Sequence, residues 1–157
     1  MDTSFTADEH FRRGQAALGI ERHDAALEHF GAAHRLEPGS ASYRSYFGLC
    51  LGVAERRFDQ ALELCRSAAK EEFFNPALYR NLAHVHLAFG FKAEGIRYLR
   101  RGLMIDPADE DILQDMRELG VRSRPPLTFL PRGHVVNRWI GQVRGRLGPP
   151  SEAEAIF

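Results

Sequence analysis

Cysteine and tryptophan are nearly missing from this chain, which has two of the first and one of the second in 157 residues. Two cysteines cannot build a disulfide framework, and Cys50 and Cys65 both fall inside apolar helical patterns, so they are expected to be buried free thiols. No apolar run approaches the roughly 18 residues needed to cross a bilayer. The opening residues, MDTSFTADEHFRR, carry acids and no apolar core of the kind a secretory signal has. A cytoplasmic protein is the expectation. There is no Cys-x-x-Cys, no His-Glu-x-x-His and no glycine-rich phosphate loop. His84 and His86 are two apart on a helix and point to different sides; His29 and His34, five apart, are also badly placed to share a metal. GIERHD contains His23 and Asp24, but it lies in a turn. Glu71-Glu72 and Asp109–Asp111 read as solvated or helix-end acids. No cofactor, metal or catalytic residue is therefore expected, and the chain reads as non-enzymatic.

No single sign of charge dominates: the formal net charge is +0. The distribution is uneven. Residues 1–118 hold 15 Lys+Arg against 19 Asp+Glu, residues 119–150 hold six Arg and no acid, and Glu152 and Glu154 follow. An acidic body with a basic tail favours a contact within or between chains.

What the sequence does have is a period. Gly14, Ala26, Phe30, Ala33 and Pro38 are spaced by 12, 4, 3 and 5 residues, and Ala83, Gly95, Leu99, Gly102 and Pro107 repeat those steps. Gly48, Ala61, Cys65, Ala68 and Pro76 follow the same scheme, with one extra residue before Ala61 and three before Pro76. Those additions leave the local geometry around Ala54–Phe58 and Glu71–Asn75 open. Each unit reads as two helices with apolar residues at intervals of three and four. Small residues recur where two antiparallel helices must approach closely, and proline is expected to end the second helix of each unit.

This spacing resembles the tetratricopeptide repeat over about residues 7–107. The resemblance implies an all-α, right-handed superhelix of antiparallel helix pairs, with repeats at about 7–40, 41–75 and 76–107. A capping helix over 109–120 would cover the last pair, its apolar side made by Ile112, Leu113, Met116 and Leu119. Arg13 and His10 depart from the family pattern, which usually has Leu and a large aromatic there. The resemblance also implies a concave surface built from the first helix of each pair. Its lining would be Asp8, Phe11, Gln15 and Leu18, then Ser42, Ser45 and Leu49, then Ala77, Arg80, His84 and Leu87. Phe11, Gln15, Ser45, Leu49, Arg80, His84 and Leu87 are the candidate partner-binding residues, a mixture suited to an amphipathic segment. Of the clamp with which some relatives hold a carboxylate, only Arg80 and Asn81 match.

The chain then changes character in PPLTFLPRGHVVNRWIGQVRGRL, residues 125–147. Three prolines forbid a continuous helix up to Pro131. Val136, Trp139, Ile140, Val143 and Leu147 then predict an amphipathic helix over about 134–147, ended by Gly148-Pro149-Pro150. So short a helix is marginal alone in water. Docking on the repeats through Phe129, Trp139, Ile140 and Val143 is the leading expectation. A homo-oligomer through this helix, a partner-binding peptide, and a tether to an anionic membrane or nucleic acid are the alternatives. Dilute arginines on an acidic body argue against a membrane, and the lack of interleaved aromatics argues against nucleic acid. The function expected is an adaptor or scaffold that takes a protein or peptide in the groove; a secretion-type chaperone is the closest rival.

Overall fold

The computed structural model describes residues 5–121. The expected tail helix and the docking residues Phe129, Trp139, Ile140 and Val143 lie outside them. Seven helices follow in order: α1 (Ala7–Gly19), α2 (His23–Leu36), α3 (Ala41–Glu55), α4 (Phe58–Glu71), α5 (Pro76–Ala88), α6 (Lys92–Ile105) and α7 (Glu110–Glu118). There is no strand among the described residues. No described helix is long and apolar enough to cross a membrane.

Local chemistry marks each start. The first helix of every pair has a side-chain cap. Thr6 and Glu9 form a reciprocal capping box on α1, Ser40 caps α3, and Asn75 caps α5 with Pro76 at its first position. Asp109 caps α7 in the same way. The second helices have no such cap. They begin directly after tight turns, each containing one left-handed residue: Glu21 at φ 57°, Arg56 at φ 58° and Gly90 at φ 84°. First helices begin at residues 7, 41, 76 and 110, in steps of 34, 35 and 34. α7 thus starts in register, as the first helix of a further pair would.

The small residues sit where the helices cross. A Cβ on Gly48 would lie 2.9 Å from Leu64 Cβ and 3.1 Å from the Ala61 carbonyl oxygen. One on Gly14 would meet the Phe30 ring at 2.7 Å, and one on Gly95 the Leu87 side chain at 2.7 Å. Ala26, Ala33, Ala61, Ala68 and Ala83 are wholly buried. Around these crossings the apolar core runs along the stack in three linked clusters. One is centred on Ala26, Phe30 and Cys50, one on Leu49, Leu62, Leu78, Leu82 and Val85, and one on Leu99, Leu103, Ile112, Leu113 and Met116. Each joins neighbouring helix pairs, so burial of about 1.5–3 kcal/mol per large side chain holds the pairs to each other. Ile112 of α7 fills the space over Gly102 of α6, so α7 covers the end of the described stack.

The geometry left open around Ala54–Phe58 is now fixed, and one local expectation changes. The extra residue of the second unit does not lengthen its inner turn. The first helix takes it up together with one residue of the turn, so α3 has 15 residues where α1 and α5 have 13, and the turn 56–57 has two where 20–22 and 89–91 have three. Nor does Pro76 end a helix. It opens α5, and the turn before it has four residues (72–75), as does the turn 37–40 between α2 and α3. The position matching Pro38 and Pro107 is Phe73. Proline is favoured both just past a helix end and at the first position of the next, which is why spacing alone misplaced it.

Candidate functional site

The first helices of all three pairs line one cleft of about 410 Å³. Its walls come from Gln15 and Leu18 of α1, Tyr46, Leu49 and Val53 of α3, and Arg80, Asn81 and His84 of α5, with His23 and Asp111 at the ends. Apolar side chains and amide or imidazole groups share the lining. No serine, threonine or cysteine lines it.

Four of the seven candidate residues, Gln15, Leu49, Arg80 and His84, meet in this cleft. Gln15 is exposed. Burial pushes the Tyr46 phenol above its ordinary range, while a hydrogen bond with Gln15 acts the other way. Leu49 belongs to the core and shows only an edge, with 4% of its surface exposed. The other three lie elsewhere. Phe11 packs in an aromatic cluster, its ring centroid 4.8 Å from Tyr43, 5.1 Å from Tyr46 and 5.5 Å from Phe30. Ser45 is fully buried, and its hydroxyl accepts a hydrogen bond from Asn81 Nδ2 at 3.1 Å. Leu87 packs on Gly95 of the adjacent helix. Asp8, Ser42 and Ala77 do not line the cleft; Asp8 pairs with Arg12 at the surface, at 3.0 Å.

The reason is a regular offset. Phe11, Ser45 and Arg80 occupy equivalent positions of successive first helices. Each reaches the following first helix one residue further along: Phe11 to Tyr46, Ser45 to Asn81, and Arg80 to Asp115. The contact is aromatic in the first step, a neutral hydrogen bond in the second and an ion pair in the third. This position joins the repeats to one another, so it is only partly available to a partner.

The third step governs the charge of the cleft. Arg80 donates from Nε to Asp115 Oδ2 at 2.7 Å and from Nη2 to Oδ1 at 3.1 Å, a bidentate pair. Its Nη1 also lies 3.3 Å from Asp111. His84 Nε2 meets the same Asp115 oxygen at 2.6 Å. Burial alone would raise the Asp115 carboxyl, but hydrogen bonds from His84 and Arg80, with their charges, hold it below the ordinary carboxylate value. Asn81 is likewise engaged, with Ser45. The Arg80 and Asn81 groups that matched a carboxylate clamp are therefore already bonded inside the protein. Of the two α7 acids, Asp111 reads in the sequence as a helix-end charge and Asp115 carries no mark at all; a contact at a sequence separation of 35 leaves no local signal.

The thiols are structural. Cys50 and Cys65 are free and buried, and burial pushes both up to about 12. Cys65 Sγ donates to the Ser45 carbonyl at 3.3 Å, tying α4 to α3. Among the described residues, no group of three or more His, Cys, Asp or Glu could hold a metal ion.

No family model matches this sequence, and no curated protein matches it either. Solved structures do. The tetratricopeptide-repeat domain of Arabidopsis OM64 superposes with a TM-score of 0.57 at 17% identity, covering 73% of this chain and 94% of that one. YrrB, described as a tetratricopeptide-repeat protein with an unusual peptide-binding site, gives 0.56 at 18%, covering 74% of this chain and 59% of its own. MamA from Desulfovibrio magneticus gives 0.53 at 16%, with coverage of 73% and 64%. The chain thus spans less than two thirds of the latter two. At these identities the likeness is one of fold, and the fold is that of the tetratricopeptide repeat.

Proposed function

We propose that the chain is a non-enzymatic protein-interaction adaptor that holds a peptide or helix against the first-helix face. The observation that carries this reading is the cleft itself. Three successive pairs contribute to one depression with an apolar floor and a polar rim, the usual make-up of a site that orients a segment. The fold neighbours point the same way, one of them being described by its peptide-binding site.

The electrostatics narrow the partner. Arg80 is shared by Asp115 and Asp111, so the three together carry one surplus negative charge, and it lies at the rim, where Asp111 has 77% of its side chain exposed. A segment with an apolar face and neutral or basic polar residues suits this cleft better than a free carboxylate. Gln15, Leu18, His23, Tyr46, Val53 and His84 are the side chains left to contact it, over the edge of Leu49.

The test is selection of binders from a library of short random peptides, followed by affinity measurement on Gln15→Ala/Asp111→Asn. Both side chains are exposed, so the melting temperature should not move. Affinity should fall by about tenfold or more for peptides bound at the cleft. Unchanged affinity across the selected set would place binding elsewhere.

A further inference from the structure

The face made by the second helices carries a second surface that the adaptor reading does not use. A cleft of about 850 Å³ runs along α6 and adjoins one of about 300 Å³ over α4. Phe73, Tyr79, Tyr98 and Arg101 line both, so the two form one trough. The trough is apolar along its length. Phe73 is 66% exposed and Met104 73% exposed, which is a large amount of apolar surface to leave in water on adjacent elements.

Its rim is basic. Arg66 and Lys70 stand on the α4 side; Arg97, Arg100 and Arg101 stand on the α6 side. No carboxylate lines either cleft. None of the five makes an ion pair among the described residues. Two of them lie over aromatic rings instead, Arg101 5.3 Å from the Tyr79 centroid and Arg97 5.8 Å from that of Tyr98. The nearby acids are engaged or set apart. Glu71 is paired with Arg44 and Glu72 accepts from Asn75 Nδ2 at 3.0 Å; Asp59 and Glu63 lie earlier on α4, where they share a shallow depression with the outer sides of Arg66 and Lys70, and Glu94 lies with Arg66 and Arg97 about His86, none of these three acids lining the trough itself. Five cations without an ion pair around an apolar channel, Arg100 and Arg101 with no acid in any depression they line, are unexpected on a body whose residues 1–118 carry more acid than base.

We infer that this trough is a second docking site and that its partner is an acidic peptide segment bearing aromatic or long aliphatic side chains. Apolar side chains of the segment enter between Phe73, Tyr98 and Met104, and its carboxylates meet the arginines in bidentate pairs. A recessed channel favours a peptide over a flat bilayer, which would touch the rim and leave the floor unfilled. Of the three rings in the trough only Phe73 is largely open, Tyr79 being 5% exposed, so there is no row of rings on which successive nucleic-acid bases could stack. The site is independent of the first-helix cleft, shares no residue with it and selects the opposite charge.

The random-peptide library is panned on the full chain and on Arg97→Glu/Arg101→Glu, whose mutated side chains are exposed. Phosphatidylserine vesicles and a single-stranded oligonucleotide serve as parallel ligands. The wild-type chain should enrich acidic sequences containing Phe, Leu or Met. Their affinity should drop about tenfold or more on the charge-reversed chain, fall with salt, and be unchanged by Gln15→Ala/Asp111→Asn. Failure to enrich acidic peptides, equal binding by the charge-reversed chain, or stronger binding of vesicles or oligonucleotide than of any peptide would overturn the assignment. None of those outcomes bears on the first-helix cleft, which the other variant reports.

Discussion

Asp115 takes hydrogen bonds from Arg80 and His84 while exposing 8% of its surface. Replacing it with asparagine removes the charge but nearly keeps the shape, and it leaves Arg80 only partly compensated. The expected cost is about 1–3 kcal/mol in chemical denaturation at neutral pH. The pH dependence gives a second reading. The folded carboxyl lies below its ordinary value of 3.8, so the unfolded chain binds this proton more readily. The stabilisation is therefore complete above about pH 5 and is lost as pH falls through the ordinary value and then the folded one. Acid titration of stability should show this loss in the wild-type chain and less of it in Asp115→Asn. Identical profiles would mean that the ion pair does not hold α7. Residue identity alone could not disclose this contact, because the partners of Asp115 lie 31 and 35 residues away in the chain.

The helix pairs were largely legible, and for a physical reason. Close crossings tolerate only small side chains, so Gly14, Gly48 and Gly95 mark them directly in the sequence. The turns were less legible. Proline is compatible with both the end of one helix and the start of the next, and the second unit has its proline at Pro76 rather than at Phe73. The structure makes these turns equivalent, which leads to an experiment. Phe73→Pro should be tolerated. The preceding Glu72 has φ −112° and ψ 67°, close to the −132° and 77° of Glu37 before Pro38. No backbone hydrogen bond from the Phe73 amide is present. The Phe73 side chain is mostly exposed, and its carbonyl would still accept from Tyr79. Thermal denaturation should show no loss, or a gain of up to about 1 kcal/mol from the stiffer unfolded chain. The same variant should weaken acidic-peptide binding, since it removes an aromatic wall of the trough. A loss above about 2 kcal/mol would show that the four-residue turns are not equivalent.

Across the described residues, two faces differ in charge. The first-helix face offers a mixed cleft whose one arginine is neutralised, and the second-helix face offers an apolar channel rimmed by unpaired cations. The first was legible through periodicity and the repeat resemblance. Even so, Phe11, Ser45 and Leu87 were assigned to it because the position of a side chain on a helix was known while its reach into the next helix was not. The second face was not legible, since Arg66, Lys70, Arg97 and Arg101 come from different helices and look like ordinary solvated charges one at a time. The most direct test of the account is hydrogen–deuterium exchange on the Arg97→Glu/Arg101→Glu chain, in which the trough is disabled, free and saturated with the strongest peptide selected on that same chain. Binding at the cleft predicts slowed exchange in α1, α3 and α5, with α4 and α6 unaltered. Protection confined to α4 and α6, or no peptide selected at all, would contradict it.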